Sequence, residues 1–467
     1  MQSTLYKAPI YDDDTICALA TPAGGALGII RLSGQHTFDI IRNICPHIKE
    51  SAKTRTAILA NIISAEGDII DEAIVTLYNK PHSYTGEDCA EISCHGSSYI
   101  LNKTIQLIVS QGARIAKPGE FTQRAFLNGK MDLSQAEAVA DLIAASNKST
   151  HRIALAQMRG HFSSQLSAMR EQLLKLTSLI ELELDFADHE ELQFANRQEL
   201  LQLAEQINTR ITNLAQSFAT GQALKDGIPV AIIGKTNVGK STLLNRLLHD
   251  ERAIVSDIHG TTRDTIEDTI DIQGITFRII DTAGIRQTSD TIEQIGINRT
   301  FAAIDKALIV IWMLDATPTE HEIKEITSRI KQQKVITVWN KADLLTPQYN
   351  KTTADNSRTL CISAKTGQGI QELEEAIHDA ASIHELTEQD TIVTSARHYE
   401  ALRRAHESIG RVIKGLNTEL SPSHHTPTEL IAEDLRLTIN NLAHITGGAI
   451  TPQETLSSIF AHFCVGK

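Results

Sequence analysis

Eight residues near the middle of the chain constrain its fold more than any others: Gly-Lys-Thr-Asn-Val-Gly-Lys-Ser at 234–241, spaced G-x-x-x-x-G-K-S. They follow an apolar run, 229–233, that is typical of a strand, and precede an amphipathic run, 242–248, that is typical of a helix. A glycine-rich loop in that setting wraps backbone N–H groups around phosphates. The pattern therefore predicts an α/β sheet that binds a nucleotide, with Lys240 at the β- and γ-phosphates and Ser241 on Mg²⁺.

Three further motifs follow in order, each after an apolar run with strand character. Asp281-Thr-Ala-Gly284 predicts contacts to the Mg²⁺ shell and the γ-phosphate. Asn340-Lys-Ala-Asp343 indicates guanine, because its last carboxylate can accept from the ring N1–H and the exocyclic amine, a donor pair that adenine lacks. Ser363-Ala-Lys365 would back the base from its other side. With the phosphate loop, these motifs resemble the Ras-like GTPase set.

The predicted GTP-binding residues cover these motifs and one loop between them. They are Asn237, Val238, Gly239, Lys240, Ser241, Thr242, Ser256, Asp257, Ile258, His259, Gly260, Thr261, Thr262, Asp281, Thr282, Ala283, Gly284, Asn340, Lys341, Asp343, Ser363, Ala364 and Lys365.

The residue expected to orient the attacking water differs from that of Ras-like switches. In those proteins a glutamine after the DTAG glycine has this role. That position is Ile285, which has no hydrogen-bonding group. Hydrolysis therefore needs another water-orienting group, for which Glu293 is a candidate, although a solvated helix charge explains it too. It also needs another positive charge, supplied by Arg286, by Arg263 or by a monovalent cation.

A potassium ion beside the phosphates is one solution to the missing charge. The predicted ligands are neutral oxygens of the phosphate loop and of the 256–262 loop, while a simple turn role for Asn237 stays open. The K⁺ ligands would be Asn237, Ser256, Ile258 and Thr261, and the Mg²⁺ ligands Ser241 and Thr262.

Length and composition bound the remaining possibilities. A chain of 467 residues holds about three domains. No apolar run approaches the roughly 18 residues that span a membrane, and scattered cysteines without a C-x-x-C pair suit a reducing cytoplasm.

The net charge of −13 excludes a general attraction to nucleic acid, and the basic stretch 397–414 fits a solvated helix face. An RNA substrate would therefore need a partner for much of its phosphate contact.

The pattern along the chain predicts an α/β domain, helices, the GTPase module and helices again. Strand character near 15–20, 27–32 and 71–78 and a helix at 97–111 describe the first part. Ser134 followed by Glu137 reads as a capping box that opens a helical region. The predicted boundaries are 1–125, 126–220, 221–386 and 387–467, with the last helices, including 428–445, packing on those before the module.

The last four residues, Cys464-Val-Gly-Lys467, fit a prenylation box poorly because glycine and lysine occupy its last two positions. By itself a cysteine at this position is either a reactive or binding thiol or a tail residue without a role.

Several segments together resemble one family, the tRNA-modifying GTPases called MnmE or TrmE. The matching segments run from end to end of the chain: 14–21, 28–34, 83–88, 91–96, 118–130, the GTPase motifs, 396–398, 432–436 and 464–467. The terminal motif combined with an internal GTPase is highly specific.

The resemblance implies an α/β and all-α multidomain fold: an N-terminal α+β folate-binding domain that also dimerises, and a helical domain interrupted by an inserted Ras-like P-loop GTPase domain. It implies K⁺-stimulated GTP hydrolysis within a heterotetramer with an FAD-dependent partner, MnmG or GidA. That complex adds a (carboxymethyl)aminomethyl group to C5 of the wobble uridine of tRNA. The one-carbon unit comes from 5,10-methylene- or 5-formyl-tetrahydrofolate.

The resemblance also implies roles for individual residues. Glu293 falls on the catalytic glutamate, and Cys464 on a cysteine required for modification. The implied folate-binding residues are Arg31, Glu91, Lys130 and Lys467. Two alternatives remain at this point: a regulatory or ribosome-assembly GTPase without modification activity, and a folate-binding scaffold.

Overall fold

The structure is a computed structural model, and it divides the chain into two compact units. The first unit comprises Met1–Ala144, Gln157–Ile207 and Glu407–Lys467, and the second comprises Ala145–Ala156 and Asn208–His406. The residues that the structure describes are 14–22, 24–185, 197–249, 268–280, 301–330, 333–344, 358–381, 391–419, 427–448, 456, 459–461, 463 and 466.

The N-terminal part of the first unit is a six-stranded sheet in the order β3-β4-β5-β2-β1-β6. Its strands are β1 Ile16–Leu19, β2 Leu27–Ser33, β3 Ala57–Ile63, β4 Ile69–Tyr78, β5 Cys89–His95 and β6 Arg114–Ile115. The helices of this part are α1 Thr37–Ile44, α2 Ser98–Ser110 and α3 Glu120–Leu127. All pairings are antiparallel except that of β1 with β6.

Side-chain alternation gives this sheet two chemically different faces. On β5, Ala90, Ile92 and Cys94 are buried in the same core as Ile41 of α1 and Leu101 of α2. Arg31 and Glu91, at alternate positions, therefore lie on the opposite face of the sheet, where they pair across β2 and β5.

Long helices make up the rest of the first unit, and three of them lie partly in the second. The chain forms α4 Leu133–Ala144, α5 Lys148–Met158, α6 His161–Asp185, α7 Arg197–Asp226, and, near its end, α11 Ala396–Glu419 and α12 Thr428–Thr446. Helix α12 packs against α6 and α4, and Arg436 forms an ion pair with Glu181.

The capping prediction at the start of α4 was wrong by two residues. Asp132 accepts from the Gln135 backbone N–H at 2.9 Å, and the Gln135 side chain accepts from the Asp132 N–H at 2.9 Å. Ser134 instead donates to Asp132. The reciprocal bonds thus join Asp132 and Gln135, because a carboxylate at the N-cap competes well for the exposed N–H groups.

The second unit contains a six-stranded sheet in the order β12-β11-β10-β7-β9-β8. Its strands are β7 Ile228–Ile233, β8 Asp268–Ile272, β9 Ile275–Ile280, β10 Ile309–Leu314, β11 Lys334–Trp339 and β12 Arg358–Cys361. The helices here are α8 Lys240–His249, α9 Glu320–Arg329 and α10 Ile370–Ala380. Only the edge strand β8 runs antiparallel among these strands.

Strand composition explains this arrangement, since parallel strands covered on both faces read as nearly continuous apolar runs. Five of the six residues of β10 are buried. Leu243 of α8, Phe277 of β9 and Leu373 of α10 lie in one core with these strands. In the described part of the chain, no helix is long and apolar enough to cross a membrane.

Candidate functional site

The parallel strands of the second unit end at one edge of the sheet, and residues of the candidate site follow four of them there. Gly234 follows β7, Asp315 follows β10, and Asn340 follows β11. Ser363 comes two residues after β12. Ligands of open α/β sheets bind at this carboxyl edge, so the topology gathers the predicted motifs into one site.

The phosphate loop needs its glycines for space as well as for backbone conformation. Gly234 has φ +148°, and a Cβ there would lie 2.5 Å from the Met313 carbonyl oxygen. Gly239 has φ +102°, and a Cβ there would lie 2.2 Å from the side-chain nitrogen of Asn340. Asn237 adopts φ +60°, a region that asparagine tolerates better than most residues. The loop is therefore a cradle of backbone groups that side chains cannot fill.

Lys240 lies against this cradle. Its ammonium donates to the carbonyl oxygens of Gly234 at 2.6 Å and Lys235 at 2.7 Å, and burial lowers its pKa. A cation held at the start of α8, beside the helix N-terminus, suits a polyphosphate.

Asn340 joins the phosphate loop to the 363–365 loop, which is predicted to back the base and is called the base-recognition loop below. Its side chain donates to the Val238 carbonyl at 2.8 Å and accepts from the Ala364 N–H at 2.9 Å. Asn340 is 3% exposed, so both halves of the amide are satisfied within the protein. One residue thus sets the spacing between two parts of the site.

Asp343, the predicted guanine-binding carboxylate, is held by a hydrogen bond from Ser363. The Ser363 hydroxyl donates to its carboxylate at 2.6 Å and thereby holds the pKa of Asp343 below its ordinary value. The group therefore stays ionised, which two N–H donors of guanine require. Ser363 itself is fully buried.

Two residues of this site were missed by the sequence interpretation. Asp315 forms an ion pair with Lys341 at 2.8 Å, and Lys341 has φ +64°. Arg246 of α8 donates to the Lys365 carbonyl at 2.7 Å, which ties the phosphate-binding helix to the base-recognition loop. Asp315 directly follows an apolar strand, so the signal used for the other motifs could have found it. Arg246 has no such local signal.

Other predicted residues lie outside the described part of the chain. These are Glu293, Cys464, Lys467, Arg263, Arg286, the loop 256–262 and the motif 281–284.

The first unit brings two of the predicted folate residues into direct contact. Arg31 and Glu91 are register partners on β2 and β5, and Arg31 donates through Nε at 3.0 Å and Nη2 at 2.8 Å to the same carboxylate oxygen. Tyr78 donates to the other oxygen at 3.4 Å, and burial, followed by the charge of Glu91, raises its pKa. The side chains of Arg31 and Glu91 are 18% and 29% exposed, so both remain accessible.

Two aromatic rings and Gly466 surround the same guanidinium. Its carbon lies 5.4 Å from the ring centre of Tyr84 and 5.8 Å from that of Phe121. Arg31 also donates to the Gly466 carbonyl at 3.1 Å. A Cβ on Gly466 would lie 2.4 Å from the Leu19 carbonyl oxygen, so Gly466 fits tightly against the end of β1.

Lys130 takes a different position within the unit. Its ammonium donates to the Pro81 carbonyl at 2.9 Å, and its stem lies beside Gly86. The described contacts therefore connect it to the 81–86 loop that carries Tyr84, and not to Arg31 or Glu91.

A buried ionic network behind this site was not predicted. Arg124, 3% exposed, donates to Asp14 at 2.6 Å, to Glu87 at 3.2 Å and to Glu120 at 3.2 Å, while Arg114 donates to Glu120 at 2.8 Å. Burial raises the pKa of Glu120, but hydrogen bonds from Arg114 and the Lys117 N–H, together with the charges of Arg114 and Arg124, outweigh it and leave that pKa below its ordinary value. The network fixes α3, which carries Phe121.

The final helical turn is anchored to α3 as well. Phe460 is 1% exposed and lies in one core with Leu133 and Ala136. A Cβ on Gly119, which precedes α3, would lie 2.6 Å from the Phe460 carbonyl oxygen. This packing explains how Gly466 comes beside Arg31, from 435 residues away in sequence.

Two family models and three similar proteins point to the same family over nearly the whole chain. A model described as MnmE helical domain matches residues 133–464, and one described as GTP-binding protein TrmE N-terminus matches residues 15–130. The chain is similar to the tRNA modification GTPase MnmE of Phocaeicola vulgatus, with 50% identity over 98% of this chain and 99% of the relative. The proteins of that name from Bacteroides fragilis (50%, 98% and 100%) and Parabacteroides distasonis (51%, 97% and 100%) are similar to the same degree.

Proposed function

The chain belongs to the MnmE family, and from that membership we propose that it hydrolyses GTP as part of tRNA modification. The observation that carries the proposal is the bridge made by Asn340, which holds the phosphate loop at 2.8 Å and the base-recognition loop at 2.9 Å. A site organised in this way can contact both the phosphates and the base of a guanine nucleotide.

GTP and Mg²⁺ fit the residues present. The backbone cradle at Gly234 and Gly239, with Lys240 beside it, accommodates phosphates, and Asp343 accepts from the guanine edge. We assign Ser241 and Thr262 to Mg²⁺, which stabilises charge on the transferred phosphoryl group when bound.

We further propose that hydrolysis is stimulated by K⁺ and that Glu293 orients the water. The donor set is Asn237, Ser256, Ile258 and Thr261, and the left-handed backbone of Asn237 at the tip of the loop supports its part in it. Hydrolysis by the purified chain should be faster in KCl than in NaCl at equal ionic strength. Equal rates in the two salts would remove the potassium site from the proposal.

The second site is proposed to bind a tetrahydrofolate, as the 5,10-methylene or 5-formyl form. The cation of Arg31 suits an anionic glutamate tail, the carboxylate of Glu91 suits pterin N–H groups, and Tyr84 offers an aromatic surface. When bound, the folate supplies the one-carbon unit. Lys130 and Lys467 complete the proposed set, although Lys130 contacts a neighbouring loop.

The proposed reaction adds a (carboxymethyl)aminomethyl group to C5 of the wobble uridine of tRNA in the cytoplasm. A chain with a net charge of −13 has no general electrostatic attraction to RNA. We therefore propose that a homodimer acts with the FAD-dependent MnmG partner. Gly466 at Arg31 supports a role for the neighbouring Cys464 in the active site.

The deciding experiment is mass spectrometry of tRNA nucleosides from cells in which this chain, or its Cys464→Ser variant, replaces the native copy. We expect C5-modified wobble uridines with the chain and their loss with the variant. If cells without any copy keep these nucleosides, the modification role is wrong and a regulatory GTPase is the better description. If only the variant keeps them, the role of Cys464 is wrong.

A further inference from the structure

One short segment from the helical region is part of the nucleotide-binding unit. Residues 145–156 join the second unit, although the phosphate loop begins 78 residues after the end of that segment, at 234. Ile153 of α5 is 8% exposed and lies in the same core as Val230 and Phe277. Helix α5 is therefore anchored in the sheet that carries the GTP motifs.

Asn147 makes the polar half of this anchor. The residue is 9% exposed, and its side-chain nitrogen donates to the Thr276 hydroxyl of β9 at 2.8 Å. Its side-chain oxygen accepts from the Thr150 backbone N–H at 2.8 Å, as a helix N-cap does. One amide thus starts α5 and fastens that start to the β8–β9 hairpin.

The turn of the hairpin is shaped to receive the helix. The Ser149 backbone N–H donates to the Gly274 carbonyl at 3.1 Å. Gly274 has φ +83°, and a Cβ there would lie 2.8 Å from the Cβ of Lys148, so only glycine allows this approach. The close fit indicates a specific joint rather than a chance contact.

The contact between α5 and the β8–β9 hairpin matters because of where the hairpin lies in the chain. Strand β8 begins six residues after Thr262, and β9 ends immediately before Asp281. Both neighbours belong to segments that respond to the γ-phosphate in GTPases. A displacement at either strand end moves the turn at Gly274, because two paired strands behave as one stiff ribbon.

We propose that Asn147 is a positioning residue that couples GTP hydrolysis to tRNA modification, by fastening α5 to the hairpin through Thr276. The other end of the same helix, at Met158, accepts a hydrogen bond from Gln135 of α4 at 3.0 Å. This inference rests on the proposed function.

Two variants separate the effect of losing the Asn147–Thr276 hydrogen bond from the effect of losing the helix cap. Asn147→Ser keeps a good N-cap but is too short to reach Thr276, and Thr276→Val removes the accepting hydroxyl while leaving the cap unchanged. In the full-length chain we expect GTP hydrolysis to stay within about twofold and C5-modified wobble uridine in complemented cells to fall about tenfold or more. The double variant should fall no further than either single variant, because both remove one contact.

Ser149→Ala is the matched control, since only its backbone N–H contacts Gly274 and both activities should stay at the native level. Native modification levels with both test variants would overturn the proposal. Equal loss of hydrolysis and modification would also overturn it, because Asn147 would then serve only the integrity of the nucleotide site. If the native chain itself restores no modified uridine, the proposed function falls, and the coupling with it.

Discussion

The two candidate sites are built in opposite ways. The nucleotide site takes its side chains from short motifs, each at the end of a parallel strand, and Asn340 bridges two of them through a neutral amide. The second site takes Arg31, Glu91, Phe121 and Gly466 from two strands, a helix and the chain terminus, and its centre is a charged pair.

The difference shows how sequence distance relates to function in this chain. Motifs at strand ends are positioned by the sheet alone, since parallel strands deliver their carboxyl ends to one edge. The Arg31 site depends on tertiary packing, because the anchoring of Phe460 brings Gly466 to it. The first site should therefore be sensitive to local backbone changes as well as to the loss of Lys240, and the second mainly to the loss of single charges.

The largest expected effect is that of Lys240→Ala. Removing the cation from the phosphate loop should lower GTP hydrolysis at least about 100-fold, as measured by phosphate release. Folate binding to the same variant, followed by calorimetry, should not change. A parallel loss of folate affinity would contradict the independence of the two sites.

The converse change, Arg31→Ala, should weaken binding of 5-formyl-tetrahydrofolate by about ten- to a hundredfold, the usual cost of one hydrogen bond to a charged group. Its GTP hydrolysis should stay at the native rate. Arg42→Ala, which removes an arginine paired with Asp39 on α1, is the control and should bind folate normally. Unchanged affinity in Arg31→Ala would place the folate elsewhere.

A pair of glycine substitutions tests the cradle. Gly239→Ala forces a left-handed alanine against the Asn340 amide and should lower the free energy of unfolding by about 1–3 kcal/mol. Gly410→Ala, within α11 with no atom near its Cβ, should raise it by about 1 kcal/mol. Urea unfolding of both variants, with GTP titration of the first, measures these effects. A stable Gly239→Ala chain that binds GTP normally would refute the steric argument.

The smallest expected effect concerns pH. Ser363 keeps the pKa of Asp343 low, so guanine recognition is retained as the pH falls towards the ordinary carboxyl range. In Ser363→Ala that pKa rises towards 3.8, and GTP affinity should be lost at a higher pH than in the native chain. Titrations with GTP at several acidic pH values follow the shift. If GTP affinity falls at the same acidic pH in both proteins, the Ser363 hydrogen bond does not affect guanine binding.

Much of the fold was predicted from periodicity. The apolar runs at 229–233, 277–280 and 335–339 are β7, β9 and β11, and the helix expected at 97–111 is α2. Strands β3, β6, β8 and β10 were missed. The edge strand β3, Ala57–Ile63, has little polar–apolar alternation, and its order comes from pairing with β4.

Contiguous motifs allowed candidate site residues to be named from the sequence. Asn340, Asp343 and Ser363 were identified by spacing, and the structure brings their side chains into one hydrogen-bonded group with the phosphate loop. The Arg31 and Glu91 roles came from family resemblance, because residues 60 positions apart carry no local signal of contact. The network around Arg124 was missed for the same reason.

By itself, the sequence determined the nucleotide chemistry and the family, since short-range spacing at strand ends fixes which groups face a ligand. Only the tertiary structure decided that Arg31 meets Glu91 and Gly466, that Arg246 braces the Lys365 loop and that Asn147 belongs to the nucleotide-binding unit. These contacts depend on how register, helix packing and close backbone approach bring distant residues together, and such distances are not encoded in any local pattern.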